Sequence, residues 1–352
     1  MSFLSMNFLL FLSVAILGYY VIPKRLQWVW LLLFSYIFYL ASGTTAVVFI
    51  LATTITTFLA GLILEYLDGK MDRELNGQTA GKLNGQTTGG LNSQTTWNPD
   101  TQPEKQTIPP PVPSSAATTS TSPLTPEQKK AVKARFKRNK KWIAAAALLI
   151  NFGILAALKY RNFAADNMNL LFGTHFSSAK LLLPLGISFY TFQTLSYVID
   201  VYRGEIRAER HFGVYATFVS FFPQLVAGPI ERSKNLLHQI REEHVFDYDQ
   251  AAYGMKLMTW GFFKKLVVAD NLAVYVDRIY NQIHLYQGLS LMVATVFFAF
   301  QIYCDFSGYS DIAKGTANLF GVKLMTNFKS PYFSTSIKEF WSRWHISLST
   351  WF

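Results

Sequence analysis

The chain has 352 residues, of which 51% are apolar, 16% aromatic and only 15% charged, against roughly 25% charged in average soluble domains. Mean hydropathy is +0.20 despite a long polar tract, which excludes a disordered chain, a disulfide scaffold and an ordinary water-soluble enzyme. The charge balance, 32 Lys/Arg against 21 Asp/Glu or +11, has to be read by position.

Helices that cross a bilayer need about 20 mostly apolar residues. Residues 3–22 carry no charge and are followed by Pro23-Lys24-Arg25 rather than a small-residue cleavage site, so they read as a first helix and not a signal peptide. Residues 26–41 form a second, rich in Trp and Tyr, closed by Ser42-Gly43. Residues 44–67 form a third, in which Thr53, Thr54, Thr56 and Thr57 can hydrogen-bond within the helix. Lys24-Arg25 makes the first loop cytoplasmic and puts the N-terminus outside.

Residues 68–128 differ. Leu75-Asn-Gly-Gln-Thr, Leu83-Asn-Gly-Gln-Thr and Leu91-Asn-Ser-Gln-Thr repeat every eight residues, and a Pro/Ser/Thr tract runs over 99–126. Such a segment buries too little apolar surface to offset ordering entropy and reads as disordered; a partner-docking tether around Pro109-Pro110-Pro111 is the alternative. Thr125, Pro126 and Glu127 are helix-start signals, and a helix is expected over 125–160. Eight Lys/Arg lie between Lys129 and Lys141 with no acid among them. Immediately before an apolar run, such a cluster marks a cytoplasmic flank. No folded basic module accompanies it, so nucleic acid is not expected as a partner. The organisation is N-terminal transmembrane helices (1–67), a cytoplasmic polar linker (68–128) and a membrane core (129–352).

The later apolar runs are interrupted. Residues 181–201 end on Asp200, 212–225 run into Ala227-Gly228-Pro229, and 251–276 contain Lys256, Lys264 and Lys265. Residues 288–303 meet Cys304-Asp305-Phe306-Ser307-Gly308-Tyr309-Ser310-Asp311, and 312–321 carry Lys314. A charge at mid-bilayer costs about 2.5–3.5 kcal/mol on insertion scales, and backbone breaks at that depth, here Gly228-Pro229 and Ser307-Gly308, need protein or water around them. The fold class is therefore all-α, polytopic and membrane-embedded, with re-entrant and broken helices around a polar interior.

The single cysteine, Cys304, excludes an internal disulfide, and no His pair has metal-ligand spacing, so no metal site is expected. His175, His211, His238, His244 and His284 read as solvated or interfacial. His345 lies in residues 340–351, read as a helix on which Trp341, Trp344 and Leu348 share a face and His345 neighbours Trp341. On spacing alone an acid–base role and an interfacial aromatic belt are equally open.

Four blocks resemble the membrane-bound O-acyltransferase family, in its alginate O-acetyltransferase branch: Leu183-Pro-Leu-Gly-Ile-Ser-Phe-Tyr-Thr-Phe-Gln-Thr-Leu-Ser-Tyr-Val-Ile-Asp-Val-Tyr-Arg203, Phe222-Pro-Gln-Leu-Val-Ala-Gly-Pro-Ile230, Phe300-Gln-Ile-Tyr-Cys-Asp-Phe-Ser-Gly-Tyr-Ser-Asp-Ile-Ala313 and Glu339-Phe-Trp-Ser-Arg-Trp-His-Ile-Ser-Leu-Ser-Thr-Trp351. The branch that moves D-alanine onto teichoic acid is similar but a poorer match in the Phe-Ser-Gly-Tyr-Ser-Asp block. The resemblance implies a multi-helix enzyme of the bacterial inner membrane. It would transfer an acyl group, here acetyl, to hydroxyls of an exported polysaccharide such as alginate.

No tightly bound cofactor is implied. The acyl thioester donor, acetyl-CoA or carrier-bound, is a substrate, and the expected partners are membrane lipid, the polysaccharide acceptor and extracytoplasmic acetylation proteins. His345 matches a catalytic-region histidine, and Asp305, Ser307, Tyr309, Asp311 and Arg343 are expected to line the cavity. A further histidine of the family, in a Leu-Trp-His-Gly-like segment, is expected later than Phe352, which makes this chain read as a core with its C-terminal part missing. Two rival readings are a transporter using the broken helices and a non-catalytic membrane scaffold.

Overall fold

A computed structural model describes residues 4–41, 43–76, 124–177, 184, 186–225 and 228–352. Among them every regular element is helical. The Leu-Asn-Gly-Gln-Thr repeats beyond Asn76 and the Pro/Ser/Thr tract as far as residue 123 lie outside the described residues, as do the start of the run at 181 and Val226-Ala227.

Helix α1 (Met6–Val21) begins where the Ser5 side chain accepts the Phe8 N–H at 3.2 Å and ends short of Pro23, and α2 (Gln27–Leu40) follows one 3-10 turn later. Phe8, Leu12, Ala15 and Tyr19 form the buried stripe of α1, with Phe8 meeting Phe38 of α2 at a ring distance of 6.2 Å. The opposite face exposes Leu10, Val14 and Leu17. A helix apolar on both its packed and its free face needs lipid rather than water around it. At 16 and 14 residues, α1 and α2 are shorter than the apolar runs that predict them.

Helix α3 (Thr44–Leu75) continues eight residues past the expected end at Leu67. Its threonines bond as expected: Thr54 Oγ1 donates to Ile50 O and Thr57 Oγ1 to Thr53 O, each at 2.6 Å. Helix α4 (Pro126–Phe172) runs past residue 160 and opens with a reciprocal cap. Gln128 N donates to Thr125 Oγ1 at 3.3 Å while Thr125 N donates to Gln128 Oε1 at 2.9 Å, satisfying two end groups at once. Leu67–Lys137 is a compact unit of its own, in which Arg135 pairs with Glu74 at 2.5 Å.

The remaining helices belong to the larger unit. Helix α5 (Ile187–Arg203) is bracketed by Gly186 and Gly204, both at positive φ. The expected run 212–225 is split at Phe221 into α6 (Phe212–Ser220) and α7 (Phe222–Leu225), the freed Phe222 N–H donating to Ser35 Oγ at 3.2 Å. Helix α8 (Ser233–Arg241) is followed by α9 (Tyr248–Phe262), a π-helical segment Phe263–Ala269 and α10 (Asp270–Tyr280). Helix α11 (Leu289–Asn318) and the short α12 (Ile337–Arg343) and α13 (Ile346–Ser349) complete the chain. Among the described residues, three of the helices, α3 from Ala46, α4 and α11, are long and apolar enough to cross a membrane.

Two expectations are corrected. Ser307-Gly308 does not break the chain: α11 passes through it without interruption. Gly308 serves contact instead. A Cβ there would lie 2.9 Å from Gly261 O, and one on Gly315 2.5 Å from Gly254 O. These pairings run in opposite order, so α9 and α11 are antiparallel, and glycines seven apart on each helix let the two backbones touch. The second correction concerns 340–351, which is not one helix. Trp344 is extended and His345 adopts φ 45°, ψ 54°, so the face shared by Trp341, Trp344 and Leu348 does not form.

Candidate active site

The π-helical segment carries Lys264 and Lys265, consecutive residues that both reach α11. A π turn holds more residues than an α turn and is found frequently at functional sites. Lys264 Nζ meets Asp311 Oδ2 at 2.7 Å and donates to Ser307 Oγ at 2.9 Å. Lys265 Nζ meets Asp305 and Asp270, each at 2.6 Å. The Lys264–Asp311 side chains are only 10% and 20% exposed, whereas Asp305 is 44% exposed. Each acid expected to line a polar interior is thus held by a lysine. Tyr309 presents its ring 5.5 Å from Lys265 Nζ. Farther along α11, Lys314 Nζ donates to Thr326 Oγ1 at 2.7 Å.

Residues 319–345 fold back over α11. Trp344 contacts Phe328 (5.1 Å between ring centres), Phe340 (5.6 Å) and Tyr303 (6.2 Å), and Phe328 meets Phe306 at 5.1 Å. Tyr332 Oη donates to Ala299 O at 2.5 Å. Buried Asn327 does the fine positioning. Its carbonyl O accepts the Ile346 N–H at 3.0 Å and its Oδ1 the Ser347 N–H at 3.1 Å, while Nδ2 donates to Ser310 Oγ at 3.4 Å. The two N–H groups just after His345 are therefore fixed to the 319–336 segment, and that demand bends the backbone at His345.

His345 is half-buried, with its ring edge-on to Phe306 at 4.7 Å. Its Nε2 is buried and has no hydrogen-bond partner, and the same holds for Ser347 Oγ. Left-handed backbone is uncommon outside glycine, although histidine tolerates it better than most residues. Burial lowers the His345 pKa from its ordinary value of 6.5. A neutral imidazole with a free ring nitrogen can accept a proton from an incoming hydroxyl.

Arg343 is separated from this group. Its Nη2 pairs with Glu339 one turn earlier at 2.6 Å. Hydrogen bonds from the Thr335 N–H and then its hydroxyl hold the Glu339 carboxyl below its usual range. Asp305, Ser307, Tyr309 and Asp311 thus share α11, His345 joins them through Phe306, and Arg343 faces its own helix. Sequence reasoning did not select Lys264, Lys265 and Asn327. The lysines are visible as charges in the apolar run 251–276; Asn327 leaves no signal.

Two of the other histidines serve the fold. His211 Nδ1 caps α6 by accepting the Val214 N–H at 3.2 Å. His244 is not simply solvated: its Nδ1 lies 3.0 Å from Tyr19 Oη, and Gln27 bonds both its N–H and its carbonyl at 2.9 Å.

Residues 205–352, which contain α6 to α13 and every residue of the α9–α11 site, match the model of MBOAT, the membrane-bound O-acyltransferase family. This stretch is similar to that family. The chain is 42% identical over 221 residues to the "Probable alginate O-acetylase AlgI" of Pseudomonas putida, covering 62% of this chain and 45% of that protein. It is 36% identical over 228 residues to the peptidoglycan O-acetyltransferase of Helicobacter pylori, covering 57% and 43%. With the teichoic acid D-alanyltransferase of Streptococcus thermophilus it shares 34% over 182 residues, covering 49% and 43%. The chain thus spans less than half the length of each of these relatives. Together with the apolar helices, this likeness points to a membrane protein.

Proposed function

We propose that this membrane-bound O-acyltransferase chain moves an acetyl-type group from a thioester donor to hydroxyls of an exported polysaccharide such as alginate. The observation that carries the reading is the orphaned Nε2 of His345, a proton acceptor left open beside Phe306. The hydroxyl oxygen attacks the thioester carbonyl, its proton passes to Nε2, the new C–O bond forms, and the C–S bond breaks with the proton returned to the thiolate. Such a base contributes on the order of 10²–10⁴-fold. Asp305, Ser307, Tyr309 and Asp311 shape the polar wall, and Lys264 and Lys265 hold it rigid. The re-entrant course of 319–345, an inner-membrane location, extracytoplasmic acetylation partners and an acceptor of the alginate kind are parts of the same reading, supported by the likeness to O-acetyltransferases of cell-surface polymers.

The test measures thioester consumption and acetyl transfer to polysaccharide in membranes carrying the chain. His345→Ala is expected to lower the rate about 10²-fold or more, and His345→Gly, which relaxes the backbone, is expected to be equally inactive. Recovery of activity in the glycine variant would assign the bend, not the imidazole, to His345. The rate should also hold to lower pH than an ordinary histidine allows. A base works only unprotonated, and the depressed pKa keeps His345 so below its usual 6.5; an acid limb of kcat/KM above that value would contradict the assignment.

Orientation is tested separately. The basic flank at 129–141 and Lys24-Arg25 support a cytoplasmic side for both and an outer N-terminus. Arg135→Cys, with the buried Cys304 left in place, is expected to resist an impermeant thiol reagent in intact cells and to react after lysis. Labelling from outside would reverse the topology.

A further inference from the structure

Apart from the α9–α11 site, the loop between α5 and α6 and one face of α8, from Ser233 to Arg241, line an open cavity of about 260 Å³ with an excess of cationic side chains. Arg207, Lys234, His238 and Arg241 face it against a single acid, Glu209. Glu209 is already engaged: it is 5% exposed, pairs with Arg241 and accepts the His211 N–H at 2.7 Å. Arg207 and Lys234 are exposed and form no ion pair among the described residues, although Lys234 lies within electrostatic reach of Asp200. With histidine neutral, the lining carries an excess of two positive charges, 3 − 1.

The backbone adds to this. Ser233 and Lys234 open α8, so their N–H groups have no intrahelical acceptor, and Arg232 at the cap position supplies no side-chain oxygen. Ser233 lines the cavity, is 0% exposed, and its Oγ has no hydrogen-bond partner. A buried hydroxyl without a partner is costly, and a hydrogen-bonding ligand would satisfy it.

We infer that this cavity binds a phosphate group, with the α8 N–H groups and Ser233 Oγ as hydrogen-bond donors and Arg207 and Lys234 as counter-charges. Helix starts bind phosphate through their free N–H groups and dipole, and cationic side chains strengthen the bond. The phosphate has two sources of the same chemistry, an anionic phospholipid headgroup or a soluble phosphomonoester. Neither depends on acyl transfer.

The full chain in detergent is titrated with adenosine 3′,5′-bisphosphate, and in nanodiscs with phosphatidylglycerol. Lys234→Asp keeps the fold, because Lys234 is exposed and an acid suits the first turn of a helix. It is expected to weaken binding by about tenfold or more, the worth of a charge-assisted bond, and Arg207→Ala by less. The 129–141 cluster attracts anionic lipid by itself, so the readout is the difference between wild type and Lys234→Asp. Weakening toward both probes, or toward one alone, supports the site and names its source. Equal affinity of the two proteins, or no binding of either probe by wild type, overturns it. His345→Ala should bind as wild type does, which separates this site from the proposed chemistry.

Discussion

Lys264→Met is expected to destabilise the chain by about 3–5 kcal/mol, the usual cost of stranding one member of a buried pair. Asp311 is 20% exposed and loses the cation 2.7 Å away, and Ser307 Oγ loses its donor at 2.9 Å. Removing both charges with Lys264→Met/Asp311→Leu should recover most of the loss, since buried pairs replaced by apolar side chains are often neutral or better. Thermal unfolding of purified protein in detergent, run on the two single variants and the double one, measures this directly. A double variant no more stable than Lys264→Met would show that the pair is not coupled. Lys265→Met should cost less, because Asp305 and Asp270 are each 44% exposed and water can take over their solvation.

Gly308→Leu is expected to cost about 3 kcal/mol, at the upper end for overpacking. A Cβ at 308 falls 2.9 Å from Gly261 O and 3.2 Å from both Lys265 N and Lys265 Cβ. Two of those three atoms are backbone, so no rotamer change makes room, and α9 must separate from α11. That separation also pulls the lysines from their acids. Gly153→Ala on α4 is the matched control. A Cβ there meets nothing within 4 Å, so it should be neutral or stabilising by about 0.4–1 kcal/mol. Equal melting temperatures for the two variants would remove the packing role assigned to the glycine row.

Helix positions are legible in this sequence because apolar runs and stop signals are local. Thr125-Pro126 marks the start of α4, Pro23 stops α1, and the threonines of α3 bond to their own helix as their spacing allows. The site is legible only in its charges. Asp305 and Asp311 stand out inside apolar sequence, and so do Lys264 and Lys265, but nothing local says that the two segments lie antiparallel and cancel. Ser307-Gly308 reads as a break because glycine weakens an isolated helix; against a second glycine on α9 it becomes a notch. Residues 340–351 read as a helix because their propensities favour one, and the tertiary hydrogen bonds of Asn327 override them at His345. Both misreadings come from contacts between residues distant in sequence.

The glycine contact between α9 and α11 constrains motion as well as packing. With peptide groups pressed together and two lysines bolted across, these helices shift as a single rigid plank. Any movement that the proposed acyl transfer requires then falls to the opposite flank. There, stacked rings and a lone amide, rather than touching backbones, hold the histidine-bearing hook in place.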